Sequence, residues 1–241
     1  MNILITGGNS GLGKATVELL AQENHTVYFS YLPNEQCTLE ANELVKANNL
    51  LTAIPLNFCE EDSVDSFCER IKSFDIDVLV NCAYAGKAQG THFYKTPAED
   101  FISAFQNNVI PTIKITQACL AGMRKRKFGK IINIITSYVM DAPPTGFSVY
   151  TSTKAYLRQI SKSISKEFAR FNITSNCLLP EYMNTNFGKV EDFQLEQMIA
   201  AHPLKKLLRP EEVAQIINHL VNSSQQLNGV DIPINAAQHI M

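Results

Sequence analysis

The fold of this 241-residue chain is indicated first by a short apolar run that passes into a glycine-rich loop, Asn2-Ile3-Leu4-Ile5-Thr6-Gly7-Gly8-Asn9-Ser10-Gly11-Leu12-Gly13. Glycine tolerates positive φ and lets the backbone approach a ligand closely. A helix that begins at the end of such a loop directs free N–H groups and the positive end of its dipole towards a phosphate. The stretch therefore predicts a strand, a phosphate-binding loop and a helix, which together begin a βαβ unit.

Two other interpretations fit this loop less well. The first is an ordinary tight turn between a strand and a helix. The position of this loop, directly after the first strand of a repeating strand–helix pattern, favours a phosphate-binding loop over such a turn. A nucleoside-triphosphate loop needs Ser or Thr after Gly-x-x-x-x-Gly-Lys, because that hydroxyl binds Mg²⁺. Gly8 to Lys14 has the glycines and the lysine, but Ala15 follows.

Short apolar runs alternate with longer amphipathic segments along the rest of the chain. The candidate strands are Asn2–Thr6, Thr26–Tyr31, Leu51–Leu56, Val78–Asn81, Lys130–Thr136, Thr174–Leu179 and Val230–Ile234. The candidate helices are Gly13–Gln22, Glu35–Asn48, Glu61–Ser73, Pro97–Arg126, Tyr150–Phe171 and Pro210–Asn222. Continuously apolar strands indicate burial on both faces and a parallel sheet. The pattern predicts a single α/β domain over residues 1–241, a Rossmann-type three-layer fold whose doubly wound parallel sheet has about seven strands and helices on both faces.

Composition and charge argue against several classes of function. Hydrophobic residues make up 45% of the chain, which is enough for a full core, and the formal net charge is −2. A sequence pI of about 6.2 gives no reason to expect nucleic acid or an anionic membrane as a partner. The basic run Arg124 to Lys127 is expected to be a solvated helix end, because cations favour that terminus.

The cysteines and the first residues indicate the compartment. Six cysteines occur, at positions 37, 59, 68, 82, 119 and 177, without a C-x-x-C pair or a metal-ligand spacing to histidine. We expect reduced thiols and no metal. The chain begins with strand-like residues rather than a signal peptide, and no apolar run reaches membrane-spanning length. These features predict a soluble, cytoplasmic protein.

Ser137, Tyr150 and Lys154 form the candidate catalytic group. Tyr150 and Lys154 are four residues apart, and Ser137 follows the apolar run Ile131 to Ile135. A phenol titrates near ~10 and is a poor acid or base at neutral pH. An ammonium one helical turn away is expected to lower that pKa. With a hydroxyl to hold a substrate oxygen, the group can pass a proton to or from a carbonyl or alcohol.

Each of the three residues alone has a structural explanation. Tyr150 could be a buried aromatic at a helix start, Lys154 a surface cation and Ser137 a cap at a strand end. Their spacing and their position downstream of the glycine loop favour catalysis.

Over nearly its whole length the chain resembles the short-chain dehydrogenases/reductases, and in pattern it is most similar to the members that reduce 3-oxoacyl-[acyl-carrier-protein]. Six ordered motifs carry the resemblance: Thr6-Gly7-x-x-x-Gly11-x-Gly13, Asn81-Cys82-Ala83-Tyr84, Asn108, the group Ser137–Tyr150–Lys154, Pro180-Glu181 with Thr185, and Pro203 to Ala214. A Tyr-x-x-x-Lys pair alone is common by chance, whereas six motifs at the family's separations are specific.

The resemblance implies a role for each catalytic residue. Tyr150 would be the general acid in reduction and the base in oxidation, and Lys154 would lower its pKa and hold the nicotinamide ribose. Ser137 would orient the substrate carbonyl, and Asn108 would help to organise a proton-relay water. Hydride would pass between the nicotinamide and a ketone or secondary alcohol.

The resemblance also implies a set of cofactor contacts. These are Gly7, Asn9, Ser10, Gly11, Leu12, Gly13, Tyr31, Asn57, Phe58, Asn81, Ala83, Tyr150, Lys154, Pro180 and Thr185. The end of the second candidate strand carries no Asp, Glu, Arg or Lys before Glu35. Since an acid there would hold the ribose 2′-OH of NAD, its absence leaves the 2′-phosphate of NADP unrepelled. We expect NADP(H) to be favoured over NAD(H).

The chain departs from the family at several of these motifs. Tyr84 and Glu181 each stand where the family usually has glycine, and Asn57 stands where it has aspartate. A ring at Tyr84 would crowd the adenine ribose or reshape the cofactor wall, and a carboxylate at Glu181 could oppose a negatively charged substrate. Asn235-Ala236-Ala237 replaces the usual Asp-Gly-Gly. These departures keep an alternative open, a catalytically weak or inactive nucleotide-binding or scaffold protein on the same fold.

Residues 182–202 are the candidate substrate lid, because a long segment after a strand's carboxyl end is typical of functional loops. Its apolar residues would suit a medium apolar or acyl substrate, and core packing explains them equally well. The expected partner is a small-molecule carbonyl or alcohol substrate, possibly acyl-linked. The long helices over 97–126 and 150–171 form a dimer contact in the family, so a homodimer or homotetramer is expected.

Overall fold

The computed structural model describes residues 1–88, 90–185, 187 and 191–238. Seven strands form one sheet: β1 Asn2–Ile5, β2 Thr26–Tyr31, β3 Leu51–Pro55, β4 Val78–Asn81, β5 Gly129–Ile134, β6 Ile173–Pro180 and β7 Asp231–Ile234. Their spatial order is β3-β2-β1-β4-β5-β6-β7, and every neighbouring pair is parallel. The predicted doubly wound parallel sheet is therefore confirmed.

Helices cover both faces of this sheet. They are α1 Gly11–Gln22, α2 Glu35–Ala47, α3 Glu61–Ile71, α4 Ala98–Ala104, α5 Ile110–Arg126, α6 Ser148–Phe168, α7 Asp192–Ala201 and α8 Pro210–Asn222. The apolar faces of α1, α2 and α8 share one core cluster with the strands. On the other face, α3 and α5 form a second cluster and α6 contributes to a third. The result is the three-layer arrangement expected from the alternating pattern.

The predicted helix over residues 97–126 is interrupted. It divides into α4 and α5, which are joined by a π-helical turn over Phe105–Val109. Pro111 lies at the start of α5. Because proline has no backbone N–H, it cannot continue the regular hydrogen-bond ladder, and the backbone widens before it.

The structure differs from the sequence pattern at two other places. Helix α7 lies within the polar segment for which no element was predicted. At the C-terminal end of the sheet, Ala236 and Ala237 adopt positive φ values of 49° and 63°. The backbone there keeps the left-handed conformation that glycine normally supplies. Among the described residues, no helix combines the length and the apolar character that a bilayer crossing requires.

Candidate active site

The functional motifs meet at the carboxyl edge of the sheet. The glycine loop follows β1, Tyr84 lies beyond the end of β4, Ser137 follows β5 and Glu181 follows β6. β1 and β4 are neighbours, although two strands separate them in the chain. Strand order reverses at this point, and open α/β sheets bind ligands in the crevice that the reversal creates.

The glycine loop has the shape that a phosphate needs. Gly7 and Gly11 adopt positive φ values of 72° and 50°. A Cβ at Gly13 would lie 1.9 Å from the Gly7 carbonyl oxygen, so any side chain there would push the first turn of α1 off the loop. The Gly7 N–H donates to Ser30 Oγ at 2.9 Å, which ties the loop to β2. The loop therefore fits a dinucleotide phosphate at the amino end of α1.

Several of the residues expected to contact a cofactor lie beside this loop. The Thr185 side chain lies 3.4 Å from the Cβ position of Gly11, and Ala83 packs against Gly7. The N–H of Ala83 donates to Thr6 Oγ1 at 3.1 Å, which fixes the segment after β4 to the end of β1. Tyr31 and Pro180 end β2 and β6 at the same edge.

Three other expected cofactor residues direct their side chains elsewhere. Asn57 accepts from the Cys59 N–H at 3.0 Å and donates to Glu60 at 2.8 Å. The Phe58 ring is buried in the core. Asn81 donates to Thr116 and Asn133 in a buried polar network. Asn57 Oδ1 keeps one lone pair, and Asn81 Oδ1 is buried without a hydrogen-bond partner among the described residues.

Ser137, Tyr150 and Lys154 converge under the end of β5. Lys154 Nζ donates to the Ile134 carbonyl oxygen at 2.7 Å and lies 5.8 Å from the centroid of the Tyr150 ring. The Tyr150 hydroxyl is hydrogen-bonded to Thr136. Ser137 has no exposed surface, and Lys154 and Tyr150 are only 4% and 9% exposed. The group is therefore held in a largely dehydrated environment.

Burial sets the protonation of this group. It lowers the pKa of Lys154 to about 8 and raises the pKa of Tyr150 above its ordinary value. The nearby Tyr84 and Tyr138 raise the Tyr150 pKa further, whereas the hydrogen bond from Thr136 lowers it. Desolvation of the phenolate is the largest of these effects on the Tyr150 pKa. A lowering of that pKa by Lys154 stays a prediction.

Asn108 lies in the π-helical turn and holds the segment after β4. Its Oδ1 accepts from the Ala85 N–H at 2.6 Å, and its Nδ2 donates to the Ala85 carbonyl at 3.1 Å. Its own carbonyl accepts from Thr112 at 2.7 Å. The side chain therefore positions the segment that carries Tyr84.

Tyr84 packs directly on Tyr150 and Lys154. Its ring centroid lies 5.0 Å from that of Tyr150 and 5.4 Å from Lys154 Nζ. Phe187 covers the other side, at 5.6 Å from the Tyr84 ring and 6.0 Å from the Tyr150 ring. The Tyr84 ring therefore lies between Phe187 and the pair Tyr150–Lys154, and its expected effect on the adenine ribose or the cofactor wall stays a prediction.

Glu181 contacts Ser137, the candidate catalytic serine. Its Oε2 accepts a hydrogen bond of 2.5 Å from Ser137 Oγ. The Glu181 carboxylate therefore lies next to the hydroxyl group that, in the family's mechanism, would hold the substrate oxygen.

Sequence reasoning overlooked one residue at the cofactor loop. Asn9 Nδ2 donates to Glu40 Oε2 at 3.1 Å, and Gln36 donates to the other carboxylate oxygen at 2.8 Å. Glu40 lies on α2, well past the end of β2, so a search for an acid limited to the strand end could not find it. The spacing of Gln36 and Glu40, four residues apart on one helix face, was the available signal.

Comparisons with known proteins agree with this geometry. The family model for short chain dehydrogenases matches residues 1–194. The 3-oxoacyl-[acyl-carrier-protein] reductase FabG of Aquifex aeolicus is 29% identical over 237 residues, which cover 96% of this chain and 94% of the relative. Carbonyl reductase family member 4 of Xenopus laevis is 31% identical over 222 residues, which cover 91% of this chain and 90% of the relative.

A solved structure described as a short chain dehydrogenase/reductase family protein has a TM-score of 0.84 and 26% identity. The alignment covers 99% of this chain and 97% of that protein. The family match, the near-complete coverage of both relatives and the shared fold together show that the chain belongs to the short-chain dehydrogenase family of oxidoreductases.

Proposed function

We propose that this protein transfers a hydride between NAD(P)(H) and a ketone or secondary alcohol, with 3-oxoacyl compounds as the first substrate class to test. The convergence of Ser137, Tyr150 and Lys154 beside a phosphate-binding glycine loop carries the proposal. The name of the Aquifex relative supports an acyl-linked carbonyl substrate.

The residues divide the work of this reaction. When bound, the nicotinamide cofactor supplies or accepts the hydride. The Tyr150 hydroxyl gives a proton to the carbonyl oxygen in reduction and its phenolate takes one from the alcohol in oxidation. Lys154, held by the Ile134 carbonyl, provides the positive charge beside that phenol. Ser137 aligns the substrate oxygen, and the glycine loop with Thr185 holds the cofactor.

A direct assay tests the proposal. Purified protein is mixed with NADPH or NADH and a panel of carbonyl compounds that includes a 3-oxoacyl thioester, and loss of the reduced nicotinamide is followed. We expect turnover of at least one neutral ketone. Absence of binding of both cofactors, judged by nicotinamide fluorescence, would contradict the proposal.

A second candidate function is supported by one observation. The Tyr84 ring packs on Lys154 and Tyr150, and it adds to the burial effect that raises the Tyr150 pKa. A protein that binds cofactor without efficient turnover would have these features. Cofactor binding without reduction of any carbonyl in the panel would favour this alternative.

Tyr84 is expected to weaken cofactor binding. Replacing it with the family's glycine should lower the Kd for the preferred cofactor by about fivefold, because a ring that loses its contacts with Lys154 and Tyr150 costs roughly 1 kcal/mol to displace. Tyr84→Phe keeps the ring and loses only the hydroxyl contact with Thr153, so its Kd should stay near that of the wild type. Weaker binding in Tyr84→Gly would show that the ring is part of the cofactor wall.

We propose NADP(H) as the favoured cofactor, because the end of β2 carries no acid that would repel the 2′-phosphate. Glu40 acts against this preference, since its carboxylate is anchored at the adjoining loop by Asn9. Glu40→Gln should raise the affinity for NADPH by about three- to tenfold and leave that for NADH nearly unchanged. Glu43→Gln, an exposed change on the same helix, is the control. Equal effects of Glu40→Gln on both cofactors in fluorescence titrations would refute this assignment.

A homodimer or homotetramer is proposed from the apolar surface on α4, α5 and α6. Ile102, Ile110 and Tyr156 are 57%, 37% and 47% exposed on these helices. A contiguous apolar surface of this kind is typical of an interface. Ile102→Asp should lower the mass measured by light scattering, whereas Leu39→Asp, an exposed leucine on α2, should not. A strictly monomeric wild type would contradict the proposal.

The substrate lid over residues 182–202 remains part of the proposal. Its described residues include Met183, which pairs with Leu208, and helix α7. Asn186 and residues 188–190 lie outside the described residues. Phe187 is the described lid residue that contacts the catalytic tyrosine.

A further inference from the structure

We propose that Glu181 makes the substrate site selective for charge, so that it accepts ketones and alcohols that are neutral or cationic near the reacting carbon and rejects anionic ones. This inference rests on the proposed function, because it takes Ser137 to be the residue that aligns the reacting oxygen.

The backbone fixes Glu181 at the reacting end of the site. Its N–H donates to the Ile234 carbonyl at 3.0 Å, which continues the pairing of β6 with β7 by one residue. From there the side chain reaches Ser137, and its Oε2 accepts the serine proton. Ser137 has no exposed surface and Glu181 is half-buried, so this contact is partly shielded from water.

The direction of this hydrogen bond limits what Ser137 can do. A serine hydroxyl has one proton and two acceptor lone pairs. While Ser137 donates to Glu181, it offers only lone pairs to a substrate. A carbonyl oxygen, which is an acceptor, is therefore aligned by Ser137 only when the serine proton turns from Glu181 to the substrate. An alcohol or ammonium group, which is a donor, matches Ser137 directly.

The surroundings strengthen the effect of the carboxylate charge. Aromatic rings line this end of the site: Tyr138 and Phe147 lie 5.3 Å apart, and Phe147 lies 6.5 Å from Tyr150. Burial raises the pKa of Tyr138 to about 12, and the negative charge of Glu181 contributes to that rise. The field of Glu181 therefore extends beyond its contact with Ser137.

A second negative charge on the substrate would be repelled in this environment. Two like charges about 6 Å apart, at an effective dielectric constant of about 20, reduce binding by roughly one hundredfold. A substrate cation would gain by a comparable factor. A 3-oxoacyl thioester is neutral near its ketone and passes this filter, whereas the free 3-oxo acid does not.

Three small ketones that differ in charge test the inference: methyl acetoacetate, acetoacetate and 4-amino-2-butanone. For the wild type we expect kcat/KM to fall from the cation to the neutral ester to the anion. Glu181→Gln keeps the size of the side chain and removes the charge, so it should raise the anion-to-neutral ratio by about 10- to 100-fold and lower the cation-to-neutral ratio. Glu181→Gly, which restores the family residue, should likewise raise the anion-to-neutral ratio and lower the cation-to-neutral ratio. Glu211→Gln, in the first turn of α8, should leave both ratios unchanged.

The outcomes separate this inference from the proposed function. Turnover of the neutral ester with ratios that do not respond to Glu181→Gln would overturn the charge filter and leave the oxidoreductase function standing. If no ketone is turned over, calorimetric binding of the same compounds to NADPH-loaded protein measures the ratios without catalysis. Equal ratios in wild type and Glu181→Gln in that experiment would also overturn the filter.

Discussion

Tyr150→Phe is expected to lower kcat for the preferred ketone by about 10²- to 10⁴-fold, which is the usual contribution of a positioned acid or base. The substitution removes a hydroxyl that is bonded to Thr136 and leaves the buried ring in place. The fold and the glycine loop should therefore be preserved, and the Kd for the cofactor should change little. Steady-state turnover and nicotinamide fluorescence measure the two effects separately.

Tyr156→Phe is the matched control for this experiment. Tyr156 lies on the same helix, is 47% exposed and contacts the Phe105 ring rather than the catalytic group. Its variant should turn over substrate at the wild-type rate. Retained turnover in Tyr150→Phe would remove the tyrosine from the proposed mechanism.

Lys154→Met is expected to abolish most turnover and to stabilise the folded protein at pH 7. Burial lowers the pKa of Lys154 from 10.5 to about 8, so the charged form is destabilised in the fold. That shift corresponds to about 3 kcal/mol at pH 7. Loss of the hydrogen bond to Ile134 offsets roughly 1 kcal/mol of the gain. A net stabilisation of about 2 kcal/mol is expected.

The pH dependence of the stability difference between Lys154→Met and the wild type shows whether the buried ammonium causes it. Between pH 8 and 10.5 the unfolded chain holds a proton on Lys154 that the folded protein has released. The contribution of this group therefore makes the wild type more stable as pH rises through that window. The advantage of Lys154→Met should shrink over the same window in urea denaturation. Lys166→Met, an exposed lysine on the same helix, should show no such trend. A Lys154→Met variant that is less stable than the wild type at pH 7 would contradict the expected cost of burying the ammonium.

The elements that were predicted well are those in which local signals agree. The seven candidate strands match the observed ones within about two residues, because continuous apolar runs bounded by turn residues have few alternatives. The helix over 97–126 was predicted as continuous, because the spacing of its apolar residues stays helical although Pro111 lacks a backbone N–H. Helix α7 was missed because none of its residues is buried, so its sequence shows no strong apolar periodicity.

In the candidate site, too, some features follow from the sequence and others only from the tertiary structure. The positions of the glycine loop, Ser137, Tyr150 and Lys154 follow from the order of the motifs along a parallel sheet. The contacts of Glu40 with Asn9 and of Glu181 with Ser137 join residues 31 and 44 positions apart. A local sequence pattern cannot predict contacts between residues so far apart in the chain.

By itself, the amino-acid sequence determined the parallel sheet, the glycine loop and the residues proposed for proton transfer, because each depends on residue type and spacing over a few turns of chain. The tertiary structure decided how those residues are tuned. Desolvation of Tyr150 and Lys154, the ring of Tyr84 on the ammonium and the carboxylate of Glu181 on Ser137 all arise from atoms brought together across the sheet. Burial and electrostatic interactions depend on distances in space, and only the packed fold sets those distances.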